Sequence, residues 1–184
     1  TAVGFDCMAG NTSGTRNTAV GYQSLDANVT GNDNVAMGDK ALSASTTTDN
    51  AAFGASALRD STTGAQNTAV GAYCLRRNTS GADNVSVGAY SLDANTTASN
   101  NTSIGAFAMT ANTTGGDNVA IGRVALGANT TGNGNTAIGY ACLDANTTAD
   151  SNTGIGKHCL TTNTTGNENV AVGRGAMYNN TTGE

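Results

Sequence analysis

The chain contains no proline and no tryptophan, and only three phenylalanines and five tyrosines among its 184 residues. Few side chains are therefore large enough to fill the centre of a globular domain. Low hydrophobicity is also typical of disordered chains, which cannot bury enough apolar surface to offset the entropy lost on folding. The composition alone thus argues against an ordinary domain built around one large core.

Charge and long apolar runs are also scarce. Charged residues make up 11% of the chain, and the net charge is −5. The basic residues are scattered, whereas a nucleic-acid-binding domain shows a basic patch or stripe. No apolar run approaches the roughly 20 residues that a membrane-spanning helix requires. We therefore expect neither nucleic-acid binding nor membrane insertion.

What the sequence does contain is a strict repeat, represented by Asn118–Gly122 (Asn-Val-Ala-Ile-Gly). Glycines equivalent to Gly122 recur every 17 residues, except that the interval from Gly38 to Gly54 is 16. They are Gly4, Gly21, Gly38, Gly54, Gly71, Gly88, Gly105, Gly122, Gly139, Gly156 and Gly173. Self-similarity at a fixed short period indicates a repeat architecture, in which each unit packs only against its neighbours. The sequence therefore predicts a solenoid, formed by a single repeat array over residues 1–184.

Each repeat begins with alternating residues that predict a short strand, and the glycine would end it at a bend. The residue before the glycine is always Val, Ile, Met or Phe, and the fourth residue after it is always Leu or Met. We expect these two columns to be buried inside a thin coil, and the variable residue after the leucine to tolerate change, as in Asp93→Lys. The predicted fold is all-β: a parallel β-solenoid of about eleven coils, roughly 50 Å long.

Asparagine recurs seven residues after most of the glycines, with Ser45 and Ser61 in two coils. Stacked amides can hydrogen-bond along a parallel array, so we interpret this column as a structural ladder, with ligand contact as the alternative. A Thr-Thr-Gly segment follows and predicts a second turn, in which Ala98, Ala149 or Thr48 replaces the glycine.

The residue two before each glycine is always Ala, Ser or Gly. If its apolar neighbours point inward, this column points outward, where a solvent-facing wall would have no reason to exclude larger side chains. We therefore predict that the column is an inter-chain face, packed closely against another backbone. The predicted face comprises Ala19, Ala36, Ala69, Ala120, Ala137 and Ala171.

Residues that could carry chemistry are few. All four cysteines lie three residues after a repeat glycine, where the other coils have Ser or Ala, so we interpret them as small fillers. Cys142 and Cys159 lie on neighbouring coils, which leaves an intrachain disulfide as the alternative. His158 is the only histidine, and no ligand cluster recurs near it. We expect no catalytic residue, cofactor or metal, although calcium at the turns near Asp33 and Asp117 stays open.

Three aromatic residues, Tyr73, Tyr90 and Phe107, occupy the same variable slot in three successive coils. This spacing predicts an aromatic stripe on the surface. We interpret the stripe as packing between chains, and a sugar-stacking or receptor-binding patch is the alternative.

The motif ending in Gly122 and its relatives resemble the head repeats of trimeric autotransporter adhesins (YadA-like heads). The longer Asn-Thr-Ala-Val-Gly-Tyr…Leu…Asn-Thr-Thr-Gly pattern resembles repeats of phage tail fibres and bacterial surface proteins even more closely. The match runs from Val3 to Gly183, although adhesin heads use shorter coils. The resemblance implies a left-handed parallel β-roll of three chains, within a longer extracellular protein on a bacterial cell surface or a virion.

We therefore expect a structural and adhesive fibre segment, a homotrimer that displays variable residues to a receptor or glycan. One alternative is an ice-binding solenoid with one outward Thr column. Another is an extracellular filament of rods stacked end to end, because unpaired strand edges promote pairing. We do not expect an enzyme.

Overall fold

The computed structural model describes residues 1–183 and shows an all-β parallel solenoid in them. Eleven short strands form one sheet in sequence order, and each pairs with the strand of the next coil. They are β1 (Ala2–Val3), β2 (Thr18–Val20), β3 (Val35–Met37), β4 (Ala51–Phe53), β5 (Thr68–Val70), β6 (Val85–Val87), β7 (Thr102–Ile104), β8 (Val119–Ile121), β9 (Thr136–Ile138), β10 (Thr153–Ile155) and β11 (Val170–Val172). The predicted fold class is confirmed.

Equivalent residues of neighbouring coils lie side by side, as in the pairing of Ala120 with Ala137. The short coil keeps this register, because Met37 still pairs with Phe53. Its missing residue falls in the second turn. There the Thr47 carbonyl accepts a 2.7 Å hydrogen bond from Asn34 Nδ2, whereas the next coil uses the carbonyl of Gly64. Thr47, and not Thr48 as predicted, therefore replaces the turn glycine.

The leucine column forms the centre of the core, as predicted. Nine successive coils bury this side chain completely, and they contribute Leu25, Leu42, Leu58, Leu75, Leu92, Met109, Leu126, Leu143 and Leu160. The backbone at these positions is left-handed, with φ of 53° at Leu92. That conformation costs a residue with a side chain about 1–2 kcal/mol. Burying a leucine contributes roughly 1.5–3 kcal/mol, which offsets the cost.

The predicted inter-chain face is wrong, because its residues lie in the core of their own chain. Ala19, Ala36, Ala69, Ala120 and Ala137 are fully buried, and Ala171 is 4% exposed. The residues on either side point outward instead and are exposed or half-buried in every coil. The predicted burial of the column just before the glycine is therefore also wrong.

The small column is inside because the coil is narrow. Gly154 stands in this column, and a Cβ added there would lie 2.7 Å from Sγ of Cys142. In another coil the hydroxyls of Ser86 and Ser91 meet at 2.8 Å across the same space. The middle residue of the strand therefore packs against the residue that lies three positions after the glycine. The short distance between these two residues admits only small side chains.

Two asparagine ladders complete the interior. In the first, Nδ2 of Asn95 donates to Oδ1 of Asn78 at 2.8 Å and to the carbonyl of Ala98 at 3.0 Å. In the second, Oδ1 of Asn101 accepts a 3.0 Å hydrogen bond from the backbone N–H of Asn118. Both columns are buried, and buried amides stabilise a fold only when they are paired. The predicted ladder is confirmed, and the repeat-opening asparagines form another.

Candidate interaction surfaces

The outward side of the sheet is uncharged along its whole length and mostly apolar, with five threonines among its strand residues. We call it the strand face and define it by the first and third residues of β2–β11 together with Val3 of β1. The first residues are Thr, Val or Ala, and the third residues are Val, Ile, Met or Phe. Neither column contains a charged residue, and Val70, Ile104 and Ile155 are each 38% exposed. Eleven strands about 4.8 Å apart, each about 10 Å long, give an area on the order of 500 Å². Apolar patches of this size are at the upper end of those found on monomeric proteins.

Two adjacent threonine columns lie on the turns. In the first column the hydroxyls form hydrogen bonds between coils. Oγ1 of Thr113 donates to the carbonyl of Thr130, and Oγ1 of Thr130 donates to the carbonyl of Thr147. The second column is exposed in residues Thr97, Thr114, Thr131, Thr148 and Thr165. The rod therefore presents one outward threonine column that does not belong to the strand face.

The predicted aromatic stripe is confirmed as a stack within one chain. The rings of Tyr73 and Tyr90 are 4.9 Å apart, and those of Tyr90 and Phe107 are 5.3 Å apart and nearly parallel. The guanidinium of Arg76 lies over Tyr73, 5.2 Å from its ring centre. At the other end of the stack Phe107 is 39% exposed.

Arg76 also pairs with Asp93 of the next coil, at 2.9 Å between Nε and Oδ1. The two side chains are only 19% and 13% exposed. Asp93 is therefore not a freely variable position, and the expectation that Asp93→Lys would be tolerated conflicts with this contact. A lysine there would place a second cation against Arg76.

A surface cavity of about 470 Å³ opens beside Phe107. We call it the notch, and its walls include Phe107, Thr110, Arg123, Val124, Gly127 and Asp144. It exists because side chains become small where the aromatic stack ends. Val124 and then Ala141 follow Phe107 in the same repeat slot, and Gly127 follows Thr110 in another. Sequence reasoning found the stripe but missed this cavity.

Charge is balanced across the notch. Asp144 is half-buried and takes part in none of the three ion pairs within residues 1–183. Burial raises the pKa of the Asp144 carboxyl, and nearby His158 opposes that shift. The guanidinium of Arg123 is exposed and lies 5.9 Å from the ring centre of Tyr140. The hydroxyl of Thr110 donates to the carbonyl of Tyr90, which leaves its oxygen able to accept.

The cysteines are free thiols, so the alternative of a Cys142–Cys159 disulfide is not realised. Burial raises the pKa of Cys74 to about 11 and that of Cys142 to about 12. The thiolate is the nucleophilic form, so these thiols are unreactive near neutral pH. Sγ of Cys74 donates to the carbonyl of Ser86, which fits the predicted role of a small filler.

Other predicted chemistry lies apart from these surfaces. The Asp33 carboxylate, at one of the turns considered for calcium, pairs with Arg16, which holds the pKa of Asp33 below its usual value. Within residues 1–183 no three His, Cys, Asp or Glu side chains are grouped as metal ligands, and no helix is long and apolar enough to cross a membrane. The ring of His158 packs edge-on against Tyr140.

No protein-family model, curated protein or solved structure matches the chain. Function is therefore inferred from the strand face, the outward threonine column and the notch.

Proposed function

We propose that the chain is a structural fibre segment in which the strand face is the interface between copies of the chain. The observation that carries this proposal is an uncharged, mostly apolar face whose side chains are exposed or half-buried in every strand. Extended exposed apolar surfaces mark interaction sites on soluble proteins. Burying such a surface contributes roughly 25 cal/mol per Å² before the costs of association are subtracted.

Another copy of the same rod is the partner that fits the strand face best. Its side chains repeat at the coil spacing, about 4.8 Å, and only a partner with the same period stays in step over the full length. Each chain has one such face, and cyclic symmetry allows every copy to bury it around a common axis. This relocates the predicted interface from the small column to the Val and Ile column.

We assign three copies to the assembly because the repeats around Gly122 resemble those of trimeric adhesin heads. The same resemblance supports an extracellular position on a bacterial cell surface or a virion. In such an assembly the turns stay outside, and they carry the variable residues of each coil. The fibre would thus be stabilised by its strand faces and would contact a receptor through its turns.

The interface is tested by light scattering coupled to size-exclusion chromatography. The wild-type protein should have the mass of three chains, and a variant with Val70→Glu, Ile104→Glu and Ile155→Glu should be a single chain. The matched control carries Thr63→Glu, Thr97→Glu and Thr148→Glu, which add the same charge to exposed turn positions. Circular dichroism verifies that both variants fold.

A wild-type protein that is monomeric at all concentrations would contradict the interface. So would a trimer that survives the three substitutions on the strand face. A mass of two chains, lost in the same variant, would retain the interface but show that the number three is wrong.

Ice binding is the second candidate, and the outward threonine column favours it. Five successive coils place an exposed threonine in the same slot, at the regular spacing of the coils. Thermal hysteresis should then be present in the wild-type protein and lost in the variant Thr114→Lys with Thr131→Lys. Freezing behaviour equal to that of a non-binding protein would exclude this function.

A further inference from the structure

We propose that the notch beside Phe107 binds a neutral pyranose sugar, which stacks on Phe107 and shares its hydroxyls between Arg123 and Asp144. This site goes beyond the proposed assembly. None of the residues that form the notch belongs to a strand, so the site lies outside the strand face. It also requires nothing from a second copy of the chain.

The platform for the sugar is the end of the aromatic stack. One face of the Phe107 ring lies against Tyr90, at an interplanar angle of 2°. On the other side the next coil has Val124, which is smaller than a ring and covers only part of that face, so Phe107 is 39% exposed. The C–H groups of a pyranose carry partial positive charge and pack against the negative face of an aromatic ring. Because Tyr73 and Tyr90 hold Phe107 in place, little ordering is needed on binding.

Gly127 allows the Asp144 carboxylate to reach the wall of the notch. A Cβ added to this residue would lie 2.8 Å from Oδ1 of Asp144. The Asp144 carboxylate thus occupies the place of the absent side chain and lies against Gly127, in the wall of the notch. The same repeat slot is occupied by Arg76 and Asp93 in earlier coils, where the two groups neutralise each other. Asp144 has no such partner among residues 1–183.

The polar groups of the notch favour a neutral ligand that both donates and accepts hydrogen bonds. The guanidinium of Arg123 offers only donors, and an ionised Asp144 offers only acceptors. A cationic ligand would be repelled by Arg123, and an anionic ligand would be repelled by an ionised Asp144. Adjacent sugar hydroxyls can accept from one group and donate to the other at the same time. A cavity of about 470 Å³ lies within the range of small-molecule sites and holds one or two sugar rings.

The test is NMR of the ¹⁵N-labelled full chain, titrated with methyl glucoside, methyl galactoside, methyl mannoside and methyl N-acetylglucosaminide. At least one of them should shift the amide signals of Arg123, Gly127 and Ala128, with affinity near the millimolar range. In the variant Gly127→Ser the new side chain would displace the Asp144 carboxylate from the wall of the notch, and it should weaken binding about tenfold, a loss of roughly 1.4 kcal/mol. Phe107→Leu, which removes the ring face, should do the same.

The control is Ala9→Ser, which places the same residue, serine, at an exposed position in the same repeat slot of the first coil. It should bind as the wild type does. Ser43 occupies this slot naturally, so a serine is compatible with the coil. Three results would overturn the proposal: no shift with any of the four glycosides, equal binding by Gly127→Ser, or stronger binding of acetate or of arginine amide than of every glycoside.

Discussion

Nδ2 of Asn95 donates a 2.8 Å hydrogen bond to Oδ1 of Asn78, the equivalent residue one coil earlier, and both side chains are fully buried. In Asn95→Asp an acceptor would replace the donor, so a carboxylate oxygen would face Oδ1 of Asn78 and the carbonyl of Ala98. An unpaired buried charge should lower the free energy of unfolding by about 3 kcal/mol or more.

Urea denaturation followed by circular dichroism measures this loss. The control is Asn32→Asp, because the side chain of Asn32 acts as an acceptor: its Oδ1 accepts from the backbone N–H of Thr15 at 2.7 Å and from the Thr15 hydroxyl at 2.9 Å. We expect the control to stay within about 0.5 kcal/mol of the wild type. Equal losses in the two variants would show that the amide ladder does not stabilise the rod.

The leucine column supplies a second comparison. Leu92→Asp places a carboxylate in a fully buried site and should disrupt the central coils, at a cost of several kcal/mol. Thr97→Asp makes a charged substitution at an exposed site of the same coil and should melt like the wild type. Asp93→Lys should lie between them, because it breaks the ion pair with Arg76. A Leu92→Asp protein with unchanged thermal melting would contradict the assigned core.

Neighbouring strand residues report which side of the sheet is inside. Ala120→Leu adds three carbons to a fully buried site and should cost about 1–3 kcal/mol through overpacking. Ile121→Ala removes carbons from a half-buried residue that points outward, so in the isolated chain it should cost less. Both are measured in the background that carries glutamates at 70, 104 and 155, where assembly does not contribute. A larger loss of stability in Ile121→Ala than in Ala120→Leu would show that the alanine column lies on the surface.

The buried thiol of Cys74 makes stability depend on pH in the alkaline range. Its pKa is raised from 9.0 to about 11, so the unfolded chain loses this proton more easily than the folded chain. The stabilisation is complete below pH 9 and is lost as the pH rises through about 11. The melting temperature should therefore fall less between pH 8 and pH 10.5 in Cys74→Ser than in the wild type. Serine already fills this slot at Ser24 and Ser91, and an identical fall in both proteins would show that the thiol is not responsible.

The sequence predicts the period, the strands, the leucine core and the amide ladder because these slots vary little from coil to coil. It does not reveal which side of the strand is inside. A period of two shows that Ala120 lies opposite Val119 and Ile121, but not which of them faces the core. The answer depends on the width of the coil, which is fixed by contacts such as that between Ser86 and Ser91. Hydrophobicity alone favours the larger residues, and in this thin coil that preference is misleading.

The notch could be found only in part from the sequence. The aromatic stripe is visible in the spacing of Tyr73, Tyr90 and Phe107, and it stacks as expected. The cavity arises from small side chains, at Val124 in the slot of the stripe and at Gly127 in another slot, and its charged walls come from different coils. In the sequence the only sign of the cavity is the small size of the residues that follow the stripe. That sign can be interpreted only when the positions of the repeat slots in space are known.

The backbone hydrogen bonds between coils, such as that from Leu92 to Ala108, run along the rod axis because each joins one coil to the next. A force that pulls the two ends of a single chain apart would therefore load these bonds directly, one coil after another. A freed coil of 17 residues spans up to about 58 Å, in place of about 4.8 Å in the rod. Under tension the chain should lengthen in nearly equal steps of roughly 50 Å, and neighbouring copies that share the load would raise the force at which the first step occurs.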